Sequence, residues 1–132
     1  QLPFADASFD AILRIYAPSS AAEMQRILKP HGWLCTVTPA PQHLVELKAK
    51  VYSDVRLHSD EIAAEQGFTH RERQRLQWQW QAPDAATLTL LMDMIPLSYR
   101  LTPAMREILC QELPVLSLDF YLDLYQSKTP SA

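Results

Sequence analysis

Glycine is nearly missing from this chain. At the usual share of roughly 7 per cent, its 132 residues would carry about nine glycines. There are two, Gly32 and Gly67, far apart. Phosphate- and dinucleotide-binding loops need closely spaced glycines for a tight turn and close backbone approach, so no segment can be one. Cysteine is also scarce. Cys35 and Cys110 stand 75 positions apart, with no C-x-x-C and no neighbouring histidine partner. A zinc site is therefore not expected, and two buried thiols in a reducing compartment are. Long apolar runs are missing too, and none approaches the roughly 20 residues that span a bilayer. No membrane partner is expected. Nor is there an excess of positive charge: 12 basic residues face 15 acidic ones, a net charge of -3. That is unlike a stand-alone nucleic-acid binder. The chain shows no signal peptide and does not open on methionine, so it reads as a processed or excised piece.

What is present is enough apolar material, 48%, for one domain with a real core. Phe9 to Tyr16 is a nearly continuous apolar strand, expected to be buried on both faces as in a covered parallel sheet. Ser20 and Glu23 have capping-box spacing, and Met24, Ile27 and Leu28 then share one helical face. Lys29-Pro30 stops that helix, and Gly32 relieves the turn before a second strand, Gly32 to Thr38. Strand, helix and strand with short connections make a parallel crossover unit.

Pro39 and Pro41 stiffen the following loop. Leu44, Leu47 and Val51 then mark a helix, and residues 53–66 are polar and ambiguous. From Phe68 to Gln81 the period changes to two. Leu76, Trp78 and Trp80 fall on an apolar face, and Arg71, Arg73 and Arg75 on a polar one. The tryptophans read as core, and the arginines as a solvated face rather than a phosphate-binding stripe. Asp84 caps a helix through Met94 with Leu88, Leu91 and Met92 inward. Thr102-Pro103 opens another carrying Met105, Ile108 and Leu109. Val115 to Gln126 is a long amphipathic strand in which Leu116, Leu118, Phe120, Leu122 and Leu124 alternate with polar residues and tyrosines. The fold class is α/β: two parallel strands with helices, followed by an antiparallel strand pair.

The segments LPFADASFDAILRIYAP and MQRILKPHGWLCTVTPAP resemble the second half of a class I S-adenosylmethionine-dependent methyltransferase. The runs Arg14 to Pro18 and Thr38-Pro39-x-Pro41-x-His43-Leu44-x-Glu46-Leu47-Lys48 are similar to the large-subunit ribosomal RNA guanine-N1 methyltransferases. So is the end of the chain, Asp119-Phe120 leading to Leu124-Tyr125-Gln126. His31 departs from the pattern, standing where the first glycine of a turn is usual. The resemblance implies the C-terminal half of a Rossmann-like sheet spanning residues 1–132, without the donor's glycine-rich loop and without an N-terminal zinc module. It implies methyl transfer from S-adenosylmethionine to guanine N1 of ribosomal RNA by the whole protein, in the cytoplasm. This chain alone is expected to be inactive and to bind no donor. A small-molecule methyltransferase or a non-catalytic interaction domain are the alternatives.

Ligands in open α/β sheets lie at the carboxyl ends of strands. That singles out Tyr16, Ala17 and Pro18 after the first strand, and Pro39 and Pro41 after the second. Leu2, Pro3, Tyr16 and Ala17 are the implied donor contacts. Arg14, Tyr16, Pro18, Pro39, Pro41 and His43 are the implied substrate contacts. Tyr16 can stack on a base or cap the core. Arg14 can meet substrate or pair with a buried carboxylate, with Asp10 one candidate. His43 can meet RNA or rest as a satisfied surface histidine. No general base is evident, so the catalytic residue is unknown. With no neighbour on its outer side, the first strand would be an apolar edge, and self-association is expected.

Overall fold

The computed structural model describes residues 2–16, 19–52 and 57–128. Its regular elements are β1 (Phe9–Ile15), α1 (Ala21–Ile27), β2 (Leu28–Pro39), α2 (Val45–Val51), β3 (Phe68–Gln81), α3 (Ala85–Met94), a 3-10 turn (Pro96–Arg100), α4 (Pro103–Glu112) and β4 (Val115–Ser127). The four strands form one sheet in the order β1-β2-β4-β3. β1 and β2 are parallel, with Ile12 opposite Leu34 and Arg14 opposite Thr36. β2 and β4 are antiparallel, with Thr36 opposite Asp123 and Pro39 opposite Phe120.

The chain divides into two compact units. The first comprises residues 1–40, 59–76 and 120–132. The second comprises 41–58 and 77–119.

In the first unit, α1 starts where Ser20 Oγ accepts the Glu23 amide at 3.4 Å. The reciprocal arm of the expected capping box is absent. The Glu23 carboxylate instead accepts from the Leu2 amide and from Arg26. The helix ends when Leu28 turns extended and enters β2 directly. β2 therefore begins at Leu28, four residues before the expected Gly32, and Lys29-Pro30 lies within the strand. The extra length is absorbed by a register shift between Phe9 and Ala11. The turn conformation falls on His31, with φ at 61°. Gly32 is needed for a different reason: a Cβ there would lie 2.9 Å from the Lys29 carbonyl and 3.1 Å from that of Asp10. Met24, Leu28, Leu34, Phe68 and Tyr125 form this unit's core, with Phe9 and Ile12 packed against it.

Two sequence expectations fail in this unit. β1 is not buried on both faces. It is an edge strand, and Leu13 and Ile15 stand 63% and 54% exposed. From Phe120 onward, β4 buries Tyr121, Asp123, Tyr125 and Ser127, while Leu122 and Leu124 are only half-buried. Apolar alternation assigned the faces in reverse, because tyrosine buries a large apolar ring and the aspartate is paired.

In the second unit, Leu44, Leu47, Ala82, Leu88, Met92, Leu101, Leu109 and Leu116 form the core. Asp84 caps α3 through the Thr87 amide at 2.8 Å, and Thr102 caps α4 through that of Met105 at 3.2 Å. Trp80 packs on this core as expected. Trp78 and Ile108 do not fit the expected core, being 47% and 48% exposed. Among the described residues no helix is long and apolar enough to cross a membrane, and no group of three His, Cys, Asp or Glu is placed to hold a metal ion.

Candidate functional site

Tyr16 follows the last residue of β1, at the carboxyl end of a parallel strand. Its amide donates to the Val37 carbonyl at 3.2 Å, which fixes it beside β2. Its φ is 59°, a left-handed conformation that costs a non-glycine residue roughly 1–2 kcal/mol. Its ring lies 6.2 Å from that of Phe120, tilted 55°. Partial burial raises the phenol's pKa, so Tyr16 stays a neutral hydrogen-bond donor. Because Phe120 pairs with Pro39, one end of the first unit carries Tyr16, Phe120 and Pro39 together. Phe120 was missed as a site residue because alternation read it as core. Ala17 and Pro18 lie outside the described residues.

In the second unit, the chain after Pro41 docks on β4 by an unusual set of bonds. The Gln42 amide donates to Asp119 Oδ2 at 2.9 Å. The Asp119 amide donates to His43 Nδ1 at 3.2 Å. The Leu44 amide donates to the Ser117 carbonyl at 2.8 Å, and the Ser117 amide returns a bond to the Glu46 carboxylate at 2.8 Å. Ser117 Oγ adds another at 2.6 Å. Leu44 adopts φ 52° to make this turn into α2. Asp119 is fully buried, which a strand pattern alone does not predict. Burial pulls the His43 pKa down to about 4, helped by His58 and Lys48.

Arg14 is held by Glu65, not by Asp10. Asp10 meets Lys29 at 3.2 Å instead. The register aligns Arg14, Thr36 and Asp123 in one row across the sheet. Asp123, 2% exposed, accepts from Arg73 at 2.7 and 2.9 Å and from His70 at 2.8 Å. Arg73 also lies over the Tyr121 ring at 3.8 Å. Residues 59–66 form no helix or strand, and they cross this row as a strap. Arg73 donates to the Asp60 carbonyl at 2.5 Å, and Tyr125 to that of Ala63 at 2.7 Å. Of the expected basic face, Arg73 is thus a structural ion-pair partner, and Arg71 donates to Gln126 at 3.2 Å.

Leu2 is bound to α1, where its amide meets Glu23 at 2.8 Å and its carbonyl accepts from Arg26 at 3.1 Å. Leu2 and Pro3 are thus in different surroundings from Tyr16, which is tied to Val37 and Phe120. A cavity of about 800 Å³ opens at the amino end of β1, among Asp6, Gln25, Arg26, Gly67 and Lys128. That is the opposite end from the one open α/β sheets use for ligands.

The fold is similar to those of solved structures, one of them described as a methyltransferase. A methyltransferase of Bacillus halodurans C-125, provisionally so named, superimposes with a TM-score of 0.53 at 18% identity, covering 98% of this chain and 68% of that one. The MccD protein superimposes with a TM-score of 0.50 at 17% identity, covering 97% of this chain and 64% of that one. The sequence is similar to proteins named as 23S rRNA (guanine-N1)-methyltransferases. A Bacillus subtilis (strain 168) protein, provisionally named as one, is 33% identical over 128 residues, 92% of this chain and 44% of its own length. The 23S rRNA (guanine(748)-N(1))-methyltransferase of Streptomyces fradiae is 40% identical over 72 residues, 54% of this chain and 26% of its own length. The chain thus spans less than half the length of these relatives. No family model matches it.

Proposed function

We propose that this chain is the C-terminal portion of a methyltransferase domain that acts on guanine N1 in 23S ribosomal RNA. The observation that carries the reading is similarity along 92% of the chain to a relative so named, on a sheet of the methyltransferase type. The whole protein takes its methyl group from S-adenosylmethionine, has ribosomal RNA as its partner and works in the cytoplasm. These 132 residues neither bind the donor nor catalyse alone.

Tyr16 suits a base-contacting role. It is held strained at a strand's carboxyl end, with Phe120 as a second aromatic surface. Pro39, Pro41 and His43 are further candidates for substrate contact. Arg14 is a structural ion-pair partner of Glu65.

The chain on its own self-associates through β1. The two sheet edges differ in a way that supports this. β3 carries Arg71, Glu72 and Arg75 as exposed charges, which discourage pairing. The stretch from Ala11 to Ile15 has Arg14, drawn inward to Glu65, as its one charge.

Nucleoside mass spectrometry of 23S rRNA tests the main reading. Disrupting the gene should remove 1-methylguanosine from one position, and restoring it should return the modification. An unchanged 1-methylguanosine content refutes the reading.

A further inference from the structure

The 3-10 turn Pro96–Arg100 is anchored from within the second unit. Leu97 packs on that unit's core, and Leu101, which closes the turn, is buried in it. The Ser98 amide donates to the Ile95 carbonyl and the Leu101 amide to that of Ser98, each at 3.1 Å. Arg106 adds a bond to the Ser98 carbonyl at 3.4 Å. Tyr99 and Arg100 thus stand outward on a fixed backbone. Tyr99 is 78% exposed, and Arg100 is exposed as well. The Arg100 guanidinium lies over the Tyr52 ring at 5.0 Å and over the Tyr99 ring at 5.7 Å. Its Nε donates to the Tyr99 hydroxyl at 3.5 Å. Rings at these distances attract a cation.

What Arg100 lacks is a counter-ion. Arg14, Arg26, Arg73 and Arg106 each hold a carboxylate. Among the described residues Arg100 holds none, and its terminal N–H groups make no hydrogen bond. Lys48, one turn before Tyr52 on the same side of α2, likewise meets no carboxylate among the described residues. In a chain of net charge -3, two uncompensated cations beside one pair of rings are not a product of composition.

We propose that Tyr52, Arg100 and Tyr99 form a contact surface for single-stranded RNA, with a backbone phosphate on the guanidinium and an adjacent base on the open face of Tyr99. This rests on ribosomal RNA being the whole protein's partner, and it names side chains that hold the strand whatever its sequence. A planar guanidinium offers two parallel N–H groups to two phosphate oxygens. Contact with Tyr52 holds it in place before the strand arrives, so less side-chain freedom is lost on binding. A tyrosine ring stacks on any base, because every base has a π-face. In a duplex those faces are covered by neighbouring base pairs, so only an unpaired strand satisfies both contacts. An acidic peptide supplies the charge but nothing for Tyr99 to stack on.

Fluorescence anisotropy of the whole protein with a labelled single-stranded RNA, over a salt series, tests this. Arg100→Gln should weaken binding and reduce the slope of log affinity against log salt by about 0.7, the share of one phosphate on a single strand. Arg100→Lys keeps the charge and should keep the slope. Tyr99→Ala should weaken binding about tenfold, the size of one lost base stack, with the slope unchanged. Tyr99→Phe keeps the ring and should retain most of the affinity. A strand made wholly of abasic sites should not distinguish Tyr99→Ala from the parent. No binding of single-stranded RNA, an unchanged slope in Arg100→Gln, or full affinity in Tyr99→Ala overturns the proposal. So does competition by polyglutamate as strong as that by RNA of equal charge, which assigns the surface to an acidic protein. The RNA needs no methylation site, so this test and the 1-methylguanosine assay fail independently.

Discussion

Replacing Asp123 with asparagine removes the acceptor on which the first unit's polar row converges. Asp123 is 2% exposed and holds two bonds from Arg73 and one from His70. Asparagine keeps the shape but turns one oxygen into a donor, facing a guanidinium that can only donate. Breaking a buried ion pair from one side costs about 3–5 kcal/mol, and an isosteric change belongs at the lower end, about 3 kcal/mol. That is a large share of the roughly 5–15 kcal/mol of a folded domain. With a urea slope of about 1.5 kcal/mol/M, the midpoint should fall by about 2 M. Urea unfolding followed by circular dichroism measures it.

The pH dependence gives a second reading of the same residue. Burial pushes the Asp123 carboxyl up, but the bonds from Arg73 and His70 outweigh it and hold the carboxyl below its ordinary 3.8. A lowered folded value means that the unfolded chain takes up the proton first. The stabilisation is therefore complete above about pH 5 and is lost as pH falls through the folded value. Asp123→Asn should flatten that acid limb. The double variant Asp123→Asn, Arg73→Gln should lose less than the sum of the single losses, by about 1.5 kcal/mol. A loss under about 1 kcal/mol for Asp123→Asn, with the acid limb unchanged, refutes the reasoning.

Light scattering over a wide concentration range should show the mass rising with concentration. Leu13→Lys, on an exposed position of β1, should shift that rise at least tenfold upward, and a chain that is monomeric throughout refutes edge pairing. His31→Gly relieves the left-handed strain at φ 61° and should stabilise by about 0.5–1 kcal/mol, seen as a rise of about 2–4 °C in thermal melts. Gly67→Ala should do the opposite by about 1–3 kcal/mol, because φ is +86° and a Cβ would meet the Gln25 carboxamide, 2.7 Å from its Cδ. Chemical denaturation measures that loss.

Much of the architecture was legible because local signals agreed. Ser20, Asp84 and Thr102 cap the helices they were expected to cap. The period-two runs gave β3 its ends at Phe68 and Gln81. What failed were statements about faces. Alternation cannot tell which side of β4 is buried when one side carries leucines and the other tyrosines and paired aspartates. Nor can it show that β1 lies at an edge, since its apolar content is the same in either place; that expectation came from the resemblance, which leaves β1 without an outer neighbour. At the candidate site, Tyr16 could be singled out from its place after a strand. Phe120 and Asp119 could not, because each lies more than 70 residues from the partner that gives it meaning. The Arg14 partner was missed for the same reason. Glu65 sits in a polar stretch with no pattern of its own, and only the strap's path brings it to β1.

That strap is gripped by its main chain. Arg73 and Tyr125 reach the carbonyls of Asp60, Glu61 and Ala63, and every amino acid offers the same carbonyl. These contacts place no demand on the side chains from Asp60 to Ala64, whereas Glu65 acts through its own carboxylate. Substitutions can therefore accumulate along the strap without loosening it, while the burden of keeping it in place falls on residues far off in sequence. Sequence drift would be fastest in the stretch whose path is held by the least replaceable residues of the sheet.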